Sequence, residues 1–175
     1  VGTVLAGSAK RITGDGVELD FDLDSFDADG VVAILPGRDK EISTELIPLA
    51  QPVFVHTSEP FRHEGGQIYM DRVPNSRRPG IYRWAEKNRH WVFAGAAETE
   101  ARIEAPLDGN GLYALMEDLT PPVLEEEELN GRQLRFRFSD GGSGVAPPVV
   151  TIDGHVVPDK GHSWDGRWLE LDTRS

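Results

Sequence analysis

The sequence predicts an all-β chain folded as two antiparallel β-sandwich domains in tandem. Three observations carry that expectation. Apolar stretches are short, rich in Val, Ile, Tyr, Phe and Trp, and separated at regular intervals by Gly, Pro, Asn and Asp. With 19 Gly and 12 Pro spread along 175 residues, long helices have nowhere to sit. Pro121 and Pro122, followed by Glu125, Glu126, Glu127 and Glu128, have the composition of a domain boundary, because tandem prolines hold an extended connection that cannot donate ladder hydrogen bonds.

The clearest single element is 17–24, V-E-L-D-F-D-L-D, apolar at every odd position and acidic at every even one. Period two means a strand with one buried face. Turn residues Asp27, Asp29 and Gly30 lead into a strand over 31–35, stopped by Pro36 and Gly37. Further strands are expected over 52–57, 67–70, 80–84, 90–95, 101–105 and 111–116. Helix-like patterning is confined to one or two turns around 40–46 and 116–119. The first domain is assigned residues 1–118, the Pro- and Glu-rich connection 119–128, and the second domain 129–175, with strands over 132–139, 149–153, 155–157 and 167–171. That is few strands for a complete sandwich, so the second domain is expected to be minimal or truncated. The start at Val1 and the end at Arg174-Ser175, directly after a strand-like run, read as cut ends of something longer.

Charge and composition exclude several functions. Eighteen Lys plus Arg against 30 Asp plus Glu leave a net charge of −12, which disfavours nucleic acid and anionic membrane surfaces, both of which need cationic side chains. The absence of cysteine removes disulfides, thiolate zinc sites, iron–sulfur clusters and a cysteine nucleophile. No apolar run approaches the ~18 residues of a membrane span, so no membrane insertion is expected. The opening segment also lacks the basic start and apolar stretch of a secretory signal.

The strings GIYRWAEKNRHWVFAGA (80–96), IEAPLDGNGLYALMEDLTPPVL (103–124) and LRFRFSDGGSGVAPPVVTIDG (134–154) carry a recognisable order of motifs. These are G-x-Y-A-L at 111–115, D-x-T-P-P at 118–122, D-x-G-S-G at 140–144 and V-x-I-D-G at 150–154. The order resembles the tandem β-sandwich region downstream of the catalytic domain in some bacterial lysostaphin-like zinc endopeptidases and other cell-surface proteins. The resemblance implies an immunoglobulin-like second sandwich and an exported chain, periplasmic or at the cell surface. It also implies a non-catalytic role beside an adjacent domain. A closing strand with G-x-H and a D-x-A-G-N ending would be expected next and does not occur. An open edge left by that strand would favour self-association through the C-terminal sandwich, with Val149, Val150, Ile152, Trp168, Leu169 and Leu171 near the gap.

A peptidoglycan zinc endopeptidase needs H-x-x-x-D and a separate H-x-H, which supply three ligands and leave one position open. His155 and Asp159 have the first spacing. No H-x-H occurs among His56, His63, His90, His155 and His162, so the chain is read as not an enzyme. Gly141-Gly142-Ser143-Gly144 does not fit the G-x-S-x-G nucleophile turn and reads as a tight turn. The stretch His162-Ser163-Trp164-Asp165 reads as a loop. Along the acidic row, Asp20, Asp22 and Asp24 are candidate ligands for a weak calcium site, since carboxylates on one strand face can supply several oxygens. The alternative is a solvated face whose like charges discourage edge pairing.

Tyr82, Trp84 and Trp91 fall on two arms of a hairpin with its turn at 85–89. Two readings stay open. Trp84 and Trp91, with Arg83 and Arg89, form a carbohydrate- or peptidoglycan-binding surface, or the aromatic rings are core. Arg72, Arg77, Arg78, Arg83, Lys87 and Arg89 make a locally basic patch, suited either to an anionic wall polymer or to pairing with the acidic row. Trp164 and Trp168 are expected to be exposed at an incomplete edge and to mark a partner surface. The resulting expectation is a non-catalytic spacer that needs no organic cofactor and positions an adjacent domain. A wall-polysaccharide binding module is the alternative.

Overall fold

The chain divides into two compact units, Val1–Leu119 and Thr120–Ser175. A computed structural model describes residues 1–42, 44–60, 66–99, 101–130, 133–140, 148–157, 162–165 and 167–172. Among these residues there is no helix, and the sheets are antiparallel throughout, as the sequence predicts.

Unit 1 begins with β1 (Gly2–Val4), β2 (Lys10–Gly14), β3 (Val17–Phe21), β4 (Gly30–Pro36), β5 (Leu46–Pro48) and β6 (Val53–Thr57). It continues with β7 (Gly66–Asp71), β8 (Pro79–Ala85), β9 (His90–Gly95), β10 (Ala97–Glu98), β11 (Arg102–Pro106) and β12 (Gly111–Asp118). One sheet runs β1-β4-β6-β12-β8-β9, with β5 also paired to β12; the other runs β10-β11-β7-β3-β2. Alternate residues from both sheets meet in one core: Val32, Val55, Ile81, Tyr113 and Leu115 from the first, Ile12, Leu19, Phe21, Ile68 and Ile103 from the second. Each such side chain contributes about 1.5–3 kcal/mol by leaving water.

Two expectations need correcting here. The strand expected over 17–24 ends at Phe21. Asp22 opens a turn in which the Ser25 N–H donates to its carbonyl at 3.2 Å, and Leu23 is left exposed. The helix-like stretches are not helical: residues 40–42 are irregular, Leu46 begins β5, and Met116, Glu117 and Asp118 belong to β12. There, cross-strand bonding to β5 and β8 on both sides outcompetes local turns.

β12 is buried on both faces. Tyr113 and Leu115 enter the sandwich core, while Leu112, Ala114 and Met116 point the other way and join Leu46, Tyr82, Trp84 and Trp91 in a second cluster. Ile42 packs against this cluster, so the segment between β4 and β5 covers part of the sheet's outer face. The end of β12 is stitched to β6 through Asn110. Its Oδ1 accepts from the Thr57 N–H and Oγ1, both at 2.7 Å, and its Nδ2 donates to the Thr57 carbonyl at 3.0 Å.

The Tyr113 hydroxyl donates to the Gly109 carbonyl at 2.9 Å, and burial pushes its pKa up to about 12. A tyrosine in an unfolded chain ionises near 10. Between about pH 10 and 12 the unfolded chain therefore gives up a proton that the folded unit keeps, and stability falls as pH rises, by about 2–3 kcal/mol across the window. Denaturant unfolding across that range should show a steeper loss in the native sequence than in Tyr113→Phe. Equal slopes would contradict the assignment.

In unit 2, β13 (Val123–Asn130), β14 (Gln133–Ser139), β17 (His162–Trp164) and β18 (Trp168–Asp172) form a sheet in the order β13-β14-β18-β17. β15 (Thr151–Ile152) and β16 (His155–Val156) form a separate hairpin. Its Asp153-Gly154 turn has φ of 50° and 82°, as a two-residue hairpin turn requires. The connection expected over 119–128 is shorter, because Val123 onward is strand. In the ladder Glu126 stands opposite Arg137 and Glu128 opposite Arg135, and Glu125 forms an ion pair with Arg137 at 3.2 Å. Of the residues expected near an open edge, Leu169 and Leu171 are buried, whereas Val149 and Ile152 are exposed.

Candidate functional site

The acidic row does not converge. Glu18 and Asp20 lie on the outer face of the five-stranded sheet, and each meets a guanidinium. Arg11 reaches Asp20 at 2.7 Å and Glu18 at 3.3 Å, and Arg102 reaches Glu18 at 2.9 Å. Asp20 and then Glu18 hold Arg11 more firmly protonated than usual. Because β3 stops at Phe21, Asp22 and Asp24 leave that face and sit exposed in the following turn. The three candidate calcium ligands Asp20, Asp22 and Asp24 are thus not brought together. Among the described residues no group of three His, Cys, Asp or Glu could hold a metal ion.

The acids' partners also differ from those expected. They come from β2 and β11, not from the basic stretch at 72–89, where Arg72 pairs with Glu98 at 3.5 Å and Arg83 with Asp108 at 2.9 Å. The signal that could have found Arg11 is Asp15-Gly16. These residues have φ of 50° and 74° and form a two-residue hairpin turn, and counting outward from it places Arg11 opposite Asp20.

The aromatic pair is core. Trp84 and Trp91 stand opposite each other on β8 and β9, each 6% exposed. Their rings meet edge to face, with centroids 5.4 Å apart and planes at 69°. A sugar-stacking platform needs exposed ring faces, and this geometry offers none. Arg83 points to the opposite side of β8 from Trp84, where Nη1 donates to Asp108 and Nη2 to the Asn110 carbonyl at 3.2 Å. Arg89 ends the hairpin turn with a φ of 52°, its N–H donating to the Ala85 carbonyl at 2.8 Å. The four candidate ligand residues therefore do not share a surface.

Sequence reasoning missed Lys40 and Glu86. Lys40 Nζ lies 5.3 Å from the Trp84 ring centroid and 3.2 Å from Glu86 Oε1. The Glu86 carboxyl is held below its ordinary pKa first by the nearby Trp84 indole N–H, which falls short of a well-formed hydrogen bond, and then by Lys40. In unit 2, Trp168 is half-buried, with the Arg135 guanidinium 4.6 Å from its ring centroid, and is not the exposed edge residue expected. The stretch read as a loop is β17 followed by Asp165, whose carboxylate accepts from the N–H groups of Arg167 and Trp168 at 2.9 and 2.6 Å. These bonds hold the Asp165 carboxyl low. His155 is exposed on β16. Asp159, His63, the turn at 141–144 and the Trp164 side chain lie outside the described residues.

Compared with known proteins, the chain matches no family model, no curated protein and no solved structure.

Proposed function

We propose that the chain is a non-catalytic accessory region, a two-unit β spacer that positions a neighbouring domain of an exported cell-envelope protein. The observation that carries this reading is the burial of Trp84 and Trp91 at 6% exposure, edge to face, which assigns the most prominent aromatic residues to stability. The pairing of Glu18, Asp20, Arg11 and Arg102 among themselves supports it, because these charges are already satisfied within the fold. The motif order at 111–154 supports placement beside a peptidase domain in the cell envelope.

The test is incubation of the purified chain with insoluble peptidoglycan, with and without added zinc. The chain should stay in the supernatant on centrifugation and release no soluble fragments. Zinc-dependent release lost on His155→Ala would favour an enzyme, and sedimentation with the polymer would favour a wall-binding module. Either result would overturn the spacer reading.

A further inference from the structure

The cover over the seven-stranded sheet does not span its full width. Trp84 faces Trp91 across β8 and β9, Leu112 faces Phe54 across β12 and β6, and Phe54 faces Leu35 across β6 and β4. This apolar row is buried at Trp91, Trp84 and Leu112, then opens: Phe54 is 38% and Leu35 43% exposed. At the opening lies a groove of about 290 Å³ floored by Leu35, Phe54 and Leu112 and bordered by Arg38, Lys40 and Glu86.

The border is cationic in an anionic protein. Lys40 is committed to Glu86 and to the Trp84 ring, and Arg89 acts on Glu86 as a further positive charge. Arg38 is exposed and makes no ion pair among the described residues. Asp39 and Glu41, its neighbours along the segment, do not line the groove. We propose that this groove binds a small amphipathic carboxylate, an aliphatic or aromatic body of side-chain size bearing one anionic group.

The lining of the groove selects that class. The floor offers only apolar contact, which rewards a hydrocarbon body. Arg38 presents a planar fork of donors that matches a carboxylate in bidentate geometry. Arg and Lys donate but cannot accept, and the single side-chain acceptor of the lining, Glu86, is already paired with Lys40, so the hydroxyls of a sugar would find side-chain donors but no free side-chain acceptor. The volume falls at the small end of ligand pockets, which run from about 300 Å³, and limits the body to about one ring. The groove does not depend on the spacer reading, since none of its lining residues is among Trp84, Trp91, Glu18, Asp20, Arg11 and Arg102, whose burial and pairing support that reading.

The test is a titration of the whole chain with N-acetylphenylalanine, followed by amide NMR shifts, with N-acetylphenylalanine amide as the neutral control. Saturable shifts centred on Leu35, Phe54 and Leu112 are expected for the acid, with binding about tenfold weaker or worse for the amide, since a charge-assisted bond is lost. Arg38→Glu and Phe54→Ser should each abolish the shifts while leaving the remaining spectrum folded, because both side chains are surface-accessible. Arg38→Gln should retain only weak binding. No saturable shift up to the solubility of the acid, equal binding of acid and amide, or unchanged binding by Arg38→Glu would each overturn the proposal.

Discussion

Replacing Trp91 by alanine should destabilise unit 1 by about 3–5 kcal/mol, the range for truncating a large buried aromatic residue. The loss has two parts. Trp91 forms one wall of the second cluster, so its removal exposes Trp84 and Phe93 to a cavity and deletes the edge-to-face contact, worth about 0.5–1.5 kcal/mol by itself. Against this, the Trp91 indole N–H is buried without a hydrogen-bond partner among the described residues, and deleting an orphaned donor returns about 1–3 kcal/mol. The net effect should fall at the lower end of the range, and Trp91→Phe should cost much less than Trp91→Ala because it removes the orphan and keeps most of the wall. Urea unfolding monitored by circular dichroism separates the variants. If Trp91→Ala left the midpoint unchanged, the ring would not be structural, and the carbohydrate-binding reading would regain its basis.

A comparable loss, about 2–4 kcal/mol, is expected for Gly37→Ala, for a reason of space and not of backbone freedom. A Cβ at Gly37 would overlap the Leu112 methyl Cδ1 and come within 2.7 Å of the Pro52 carbonyl oxygen. The backbone cannot yield cheaply, because the Gly37 N–H donates to that same carbonyl at 2.7 Å and anchors the start of the covering segment. Gly7→Ala is the informative contrast. Gly7 has a φ of 70°, but a methyl group added there would meet nothing within 4 Å, so its substitution should cost only the ~1 kcal/mol of a left-handed residue. Thermal melts of both variants check the order: Gly7→Ala falling further than Gly37→Ala would show that crowding under the segment is not the dominant cost.

Much of the strand pattern is legible in the sequence, and the exceptions have physical reasons. The 90–95 run coincides with β9, and its neighbours agree to within one or two residues, because β-branched and aromatic runs there are bounded by turn formers. β1 and β10 carry no alternation and take their extended form from pairing with β4 and β11. The glutamate run of β13 carries no alternation and takes its strand form from pairing with β14, which sets Arg137 and Arg135 across from Glu126 and Glu128. At the aromatic hairpin, period two correctly puts Tyr82 and Trp84 on one face. Whether that face is covered depends on Ile42 and Leu46, from a distant segment with no pattern of its own. The groove is illegible for the same reason, as its floor comes from three strands that only the sheet order makes neighbours.

The position of β12 also governs how unit 1 can be made. In the order β1-β4-β6-β12-β8-β9 it separates two groups that are otherwise not joined, and it is the last strand of its unit to be synthesised. A nascent chain lacking it can form the β4–β6 and β8–β9 pairs but has nothing to join them, and the edges of β6 and β8 stay open to other chains meanwhile. Closure of the sheet therefore waits for the final strand and depends on contacts distant in sequence, which places this unit among β proteins that fold in milliseconds to seconds. Nearly all of the unit must leave the ribosome before its largest sheet can exist.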